Sequence, residues 1–174
     1  MQLTNKLKPA NRGTATMKIT WKDLSIDFSN IDWNKLIVDW IWLIGNDKEP
    51  IIISSIGDMF LKDNNGKIYW LNVGEGLLDF VSDNIDDFKS KLKENSQVDE
   101  WFMIELVQQI KESGLELVNG KLYGYKQLPV IGGDYIPENF ELTDLEVHFS
   151  LAGQIHKQIK DLPDGTKVNF KVID

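Results

Sequence analysis

The sequence predicts an α+β fold: a single domain with an antiparallel sheet, built from hairpins and a meander, and with helices packed mainly on one side. Residues 51–81 contain short runs of β-type residues separated by turn signals. Residues 31–44 and 84–113 carry apolar side chains at helical spacing. The 174 residues suffice for one core without disulfides. We expect residues 17–174 to form this domain and residues 1–16 to be a disordered tail, with Met17 as a second candidate for the native start.

The meander is the scaffold of the predicted fold, because its strands are close together in sequence and are joined by turn signals. The predicted strands are Ile51–Ser54, Asp58–Lys62, Lys67–Leu71 and Leu77–Val81. Asn65-Gly66 predicts a type I′ turn, in which both central residues have φ > 0. Gly74-Glu75-Gly76 predicts the next turn.

A helix is predicted from Ile31, with Ser29 or Asp32 as its N-cap and Gly45 as its stop. Val38 and Trp42 fall on the face opposite its apolar stripe, where a solitary helix is polar. They indicate either contact with a partner or a second layer of the same domain.

After the meander, the sequence predicts two helices and a further hairpin. Asn84 is placed to cap the first helix, whose first turn holds Asp86 and Asp87. The second helix runs from Val98 to Ser113 and contains Asp99 and Glu100. The hairpin is predicted over Leu115–Tyr125, turning on Asn119-Gly120.

The remaining residues predict a loop, a strand, a helix and a last strand. The loop, Gln127–Asn139, contains Gly132-Gly133, which suits either a tight turn or a close approach to a ligand. Alternation predicts a strand over Thr143–Phe149, followed by a short helix capped by Ser150. It also predicts a strand over Lys167–Val172.

The composition and charge of the chain exclude several classes of function. The chain has no cysteine, which excludes thiol catalysis and cysteine-ligated metals. Residues 1–22 carry five positive charges and no acid, so the remainder is strongly acidic. An acidic body argues against nucleic-acid binding and is compatible with a basic protein partner or simply with solubility. No apolar run approaches the ~20 residues of a membrane span, and no signal segment is evident. We expect a cytoplasmic protein.

Two histidines form the main chemical candidate. His148 and His156 are predicted on the last strand and its helix, with Asp144, Glu146 and Asp161 nearby in sequence. Imidazole and carboxylate groups suit a metal or acid–base site, but the spacing is not a known ligand signature, and it favours surface or hydrogen-bonded structural histidines. The sequence has no nucleotide-binding or hydrolase motif. We therefore assign no catalytic residue, cofactor or metal.

Two groups of motifs resemble a known family. The first runs through Gly57-Asp58-Met59-Phe60 and Tyr69–Gly76. The second includes Tyr123–Lys126, Pro129–Tyr135, Thr143–Leu145, Val147–Ser150, Gly153–His156 and Lys160–Pro163. Over about residues 50–167 they resemble the carboxy-terminal domain of a type VI secretion immunity protein that neutralises a DNase effector. A weaker, architectural similarity connects the chain to SMI1/KNR4-like immunity proteins.

The resemblance implies an α+β domain and toxin neutralisation by binding. Our first hypothesis is a non-enzymatic immunity-like protein that blocks a cognate toxin through an acidic and aromatic surface, without nucleic acid or membrane as partner. The residues proposed for this surface are Val38, Trp42, Asp86, Asp87, Asp99 and Glu100. The alternative is a small-ligand- or metal-binding protein, or an enzyme, that uses Gly132-Gly133 with His148 and His156.

Overall fold

The computed structural model of the protein describes residues 18–163 and 165–171. Its main sheet has four antiparallel strands in the order β1-β2-β3-β4: β1 (Lys48–Ile53), β2 (Met59–Asp63), β3 (Ile68–Asn72) and β4 (Leu77–Ser82). A second antiparallel sheet pairs β5 (Lys121–Tyr125) with β6 (Phe140–Asp144). The helices are α1 (Trp21–Leu24), α2 (Trp33–Ile37), α3 (Ile41–Ile44), α4 (Ile85–Lys91), α5 (Asn95–Phe102), α6 (Ile104–Glu112) and α7 (Leu145–Ile159). The predicted α+β class is confirmed; the predicted tail lies outside the described residues.

The predicted meander is confirmed, but its first turn differs from the predicted type. Gly66 has φ +87°, but Asn65 does not have the positive φ that a type I′ turn also requires. The predicted turn type is therefore wrong. Asp63 Oδ1 accepts hydrogen bonds from the main-chain N–H groups of Asn65 (2.8 Å) and Lys67 (2.9 Å). The Asp63 side chain therefore organises a longer turn that needs only one left-handed residue.

Hydrophobic residues cover both faces of the main sheet, because successive strand residues point to opposite faces. Phe60 belongs to a first cluster, which α4, α5 and α6 complete. Its neighbours Met59 and Leu61 belong to a second cluster, which the segment from α2 to α3 and α7 complete. Helices therefore pack on both faces, a broader distribution than the one-sided packing indicated by the sequence.

Two predicted helices are interrupted. The residues from Trp33 to Ile44 form α2, a 3-10 turn (Val38–Trp40) and α3, with Asp32 as N-cap and Gly45 at φ +76° after the end. The predicted helix Val98–Ser113 is divided at Met103, whose φ is +46°. This break lets apolar side chains of α5 and of α6 both enter the first cluster.

The predicted hairpin over Leu115–Tyr125 is wrong in its pairing. Gly120 does turn the chain, at φ +79°, but β5 then pairs with β6. Leu115 and Leu117 pack against the first cluster instead of pairing with β5. A turn signal fixes where a chain reverses, and burial here decides which strand becomes the partner.

The predicted strand Thr143–Phe149 is also wrong beyond Asp144, because α7 begins at Leu145. The alternation assigned His148 to a polar face, yet its side chain is buried. The residues of α7 that are buried follow a helical period: Leu145, His148, Phe149, Ala152, Gly153, Ile155 and His156. The predicted last strand is not formed over residues 167–171; Val172 lies outside the described residues.

Candidate functional site

Both histidines lie on α7, which crosses one end of the main sheet. His148 Nε2 donates to the Gly57 carbonyl oxygen (3.3 Å) in the β1–β2 loop, and His156 Nε2 donates to the Val73 carbonyl oxygen (2.8 Å) in the β3–β4 turn. Eight helical residues span about 12 Å, and loops two strands apart are separated by about 10 Å. The spacing of the histidines thus matches the spacing of the two loops.

Glycine is required where each imidazole meets its loop. A Cβ atom on Gly57 would lie 2.1 Å from His148 Nε2, and one on Gly76 would lie 2.2 Å from His156 Nδ1. Both glycines also have positive φ, +92° and +68°. The Gly57 and Gly76 motif positions and the two histidines therefore form matched contacts, although they are far apart in sequence.

Both histidines are neutral structural donors. Burial lowers the pKa of His148 to about 4, only partly offset by its hydrogen bond to Gly57. Burial also lowers the pKa of His156, opposed by the Val73 carbonyl and the charge of Glu75. Each ring uses its Nε2–H to satisfy a main-chain oxygen, which is a structural use of imidazole.

The histidines do not converge with the predicted carboxylates. They lie about 12 Å apart along the helix. Asp144 pairs with Lys121 (3.3 Å), and Asp161 pairs with Lys160. Among the residues that the structure describes, no group of three His, Cys, Asp or Glu side chains is placed to hold a metal ion.

Asp58 is a buried titratable residue that the sequence reasoning did not identify as a site. Its Oδ1 accepts a hydrogen bond from Val73 N–H (2.8 Å), which joins the two loops that contact α7. Burial raises its pKa to about 7, although Val73 favours the carboxylate. The Trp70 indole also favours the carboxylate, but its N–H lies outside hydrogen-bond geometry with any described group. The Gly57-Asp58 motif was the available signal.

The loop Gln127–Asn139 packs on the β3–β4 turn. Val130 N–H donates to the Gly74 carbonyl (3.3 Å), and the Tyr135 hydroxyl donates to Glu75 Oε1 (2.7 Å). Within the loop, a Cβ atom on Gly133 would lie 1.9 Å from the Gln127 carbonyl oxygen. Gly133 thus permits a close approach of the chain to itself.

A cavity of about 810 Å³ lies beside His156 and the end of α7. Its lining brings His156 together with Val130 and Ile131 of the loop, but does not include His148 or the Gly132-Gly133 pair. We call it the α7 cavity. It is lined by Trp42, Glu75, Gly76, Val130, Ile131, His156, Ile159, Lys160, Leu162, Pro163, Gly165, Thr166, Val168 and Phe170.

The residues predicted for a partner surface do not form one patch. Val38 is 57% exposed, whereas Trp42 is half-buried and its ring stacks on Trp40 with centroids 6.3 Å apart. Both lie on the side of the second cluster. The exposed acids Asp86, Asp87, Asp99 and Glu100 lie on α4 and α5, on the side of the first cluster.

Asp99 lines a groove between α5 and α6 together with other acids. The lining residues are Asn95, Ser96, Asp99, Ile104, Glu105, Gln108, Gln109 and Glu112, and none of them is basic. We call this the acidic groove. By contrast, Asp86 lies 4.0 Å from Lys89 and Asp87 lies 3.8 Å from Lys91, so local cations offset the charge of α4.

No helix in the described part of the chain is long and apolar enough to cross a membrane.

Comparison with known proteins gives a match to a protein family over part of the chain. No curated protein matches the sequence. A family match begins at the end of β4 and ends within α7, so it includes the acidic groove and both histidines but not Gly57-Asp58. Residues 82–156 match the family described as T6SS immunity protein Tdi1, C-terminal, which confirms the resemblance indicated by the sequence motifs.

Proposed function

We propose that the protein is an immunity protein that binds and neutralises a cognate type VI secretion toxin in the cytoplasm, without catalysis. The observation that carries this proposal is the match of residues 82–156 to the T6SS immunity protein family. The resemblance to proteins that neutralise a DNase effector makes a nuclease the proposed toxin.

The negative charge of the matched segment supports a basic protein as the partner. The matched segment contains 14 acidic and 6 basic residues, a net charge of −8, which equals the formal charge of the whole chain. The rest of the sequence is therefore balanced. A nuclease needs cationic residues to bind phosphates, and such a surface complements an acidic one.

The acidic groove is the part of this segment best suited to receive cations. Asp99, Glu105 and Glu112 line it, and none of the three forms an ion pair within the described residues. Glu100 lies on the other side of α5, in a separate groove with Lys91. We therefore place the electrostatic part of the interface around Asp99 rather than across all four predicted acids.

Association kinetics with the purified effector test this proposal. The double variant Asp99→Lys/Glu105→Lys should lower the association rate constant about tenfold at low salt, since steering by complementary charge acts mainly on this rate. Asp86→Lys/Asp87→Lys is the matched control, because it changes the net charge equally at a site that already contains Lys89 and Lys91, and it should have a smaller effect. Equal rates for the wild type and the double variant would exclude the acidic groove from the interface.

A further inference from the structure

The α7 cavity has a volume typical of a binding site. Slightly more than half of its wall is apolar, with side chains from α3, the loop, α7 and the residues that follow α7. Two polar side chains of the lining already form hydrogen bonds within the protein. His156 already donates to Val73, and Glu75 already accepts from Tyr135. The cavity is therefore suited to receive an apolar group.

One wall of the α7 cavity is a segment that belongs to neither sheet. In residues 165–171, which we call the C-terminal segment, Val168 and Phe170 are half-buried and line the cavity. Lys167, Asn169 and Lys171 are exposed. This alternation is that of an extended chain, but its apolar face packs on the cavity without forming a strand ladder among the described residues.

Over residues 167–171, the described contacts bond the main chain along one edge only, at Lys171, and we call the opposite edge the free edge. Gln158 Oε1 accepts from Lys171 N–H (3.2 Å), and Gln158 Nε2 donates to the Lys171 carbonyl (3.0 Å). In an extended chain, alternate residues direct their N–H and C=O groups to opposite edges. Val168 and Phe170 thus direct theirs away from α7, and no described residue bonds to them.

The rim of the α7 cavity also favours one sign of charge. The Glu75 carboxylate is exposed at the β3–β4 turn and forms no ion pair within the described residues. Lys160, the basic residue of the lining, is already paired with Asp161. A partner that reaches the cavity past Glu75 is favoured if it carries a cation.

We propose that the C-terminal segment and the α7 cavity bind an extended segment of the cognate toxin by strand addition. The toxin segment pairs with the free edge at Val168 and Phe170, places a large apolar side chain in the cavity, and presents a cation to Glu75. In strand addition, main-chain hydrogen bonds supply affinity and pockets for alternate side chains supply specificity. A free main-chain edge beside a cavity fits a peptide better than a small molecule. The identity of the partner as a toxin rests on the proposed function.

Two proline variants of the full chain separate the two edges. Val168→Pro removes an N–H from the free edge, whereas Asn169→Pro removes one from the edge that faces α7. Thermal melting first establishes that both variants fold. We expect Val168→Pro to weaken binding of the purified effector about tenfold, the size of one lost hydrogen bond, and Asn169→Pro to bind within about twofold of the wild type. Equal binding by all three proteins overturns the strand-addition proposal while the immunity function stands.

A peptide probe tests the site independently of the effector. Acetylated and amidated Lys-Leu-Lys-Phe-Lys should shift the backbone amide signals of Val168 and Phe170 in NMR spectra, and Lys-Gly-Lys-Gly-Lys should not. If the wild-type protein fails to bind the effector, the proposed function falls even when the peptide binds. If neither peptide shifts these signals, or if only small molecules occupy the cavity, the strand-addition proposal is wrong.

Discussion

The two faces of the main sheet bury their side chains in different ways. On the first face, the Phe60 ring lies 5.0–6.5 Å from four other aromatic rings, and the packing is almost entirely apolar. On the second face, buried polar groups make specific bonds: Trp40 Nε1 donates to the Phe149 carbonyl (2.9 Å), and two histidines donate to the sheet loops. Both faces bury large apolar clusters, and the second face adds individual hydrogen bonds to that contact area.

This difference bears on where each proposed contact with a partner lies. The aromatic cluster supports helices whose outer surface carries the acidic groove. The second face fixes the sheet loops through α7 and leaves the α7 cavity beside them. We infer that the helices on the first face present the acidic groove as a charged surface, while the second face presents the α7 cavity.

The largest stability effect should come from the aromatic cluster. Phe60→Ala removes a fully buried ring and should lower the free energy of unfolding by about 3–5 kcal/mol, measured by urea denaturation. Trp42→Ala, on the other face, should cause a smaller loss, because Trp42 is half-buried beside an existing cavity and its indole N–H has no described partner. Equal losses would show that the α7 cavity is filled or closed in solution.

The contact between α7 and the sheet loops should give the next effect. Gly57→Ala and Gly66→Ala both introduce a side chain at positive φ, at +92° and +87°, which costs about 1–2 kcal/mol. Only Gly57→Ala also clashes with His148, whereas nothing lies within 4 Å at Gly66. Overpacking of this kind adds about 1–3 kcal/mol. Equal destabilisation of the two variants would place His148 away from Gly57.

The pH dependence of stability should reveal two opposed buried groups. The pKa of Asp58 is raised from 3.8 to about 7, so the folded state holds the extra proton and stability falls as pH rises across that range. The pKa of His148 is lowered from 6.5 to about 4, so the unfolded state holds the extra proton and stability rises from pH 4 to 6.5.

Asp58→Asn separates the two contributions. Asparagine retains an oxygen that can accept from Val73 N–H but does not titrate. Stability of this variant, followed by urea midpoints, should therefore rise more steeply between pH 4 and 6.5 than that of the wild type. Parallel profiles for the two proteins would mean that Asp58 is not buried as a titrating group.

The smallest stability effect should be at the acidic groove. Asp99→Lys and Asp86→Lys replace exposed side chains, so each should change the free energy of unfolding by no more than about 0.5 kcal/mol. Matching denaturation curves would confirm that kinetic effects on effector binding arise from the interface. A loss above about 2 kcal/mol at Asp99 would indicate a structural role instead.

Local patterns predicted the meander, the caps at Asp32 and Asn84 and the α+β class, because these depend on neighbouring residues. Local patterns failed where burial against distant residues determines the structure. His148 reads as polar in an alternating pattern, yet Gly57, 91 residues away, provides the carbonyl that allows it to be buried. The pairing of β5 with β6 and the gathering of Trp42, His156 and Phe170 around one cavity are likewise long-range outcomes. The motifs of the family resemblance contain both glycines and both histidines of these contacts, so they were the available signal, but they did not predict the contacts.

Titration of the purified effector with the protein tests directly whether the protein neutralises it. We expect nuclease activity to disappear at a one-to-one ratio in low salt and to return in part as the salt concentration rises, because charge contributes to the complex. Full nuclease activity in the presence of a large excess of the protein would show that the protein does not neutralise this effector.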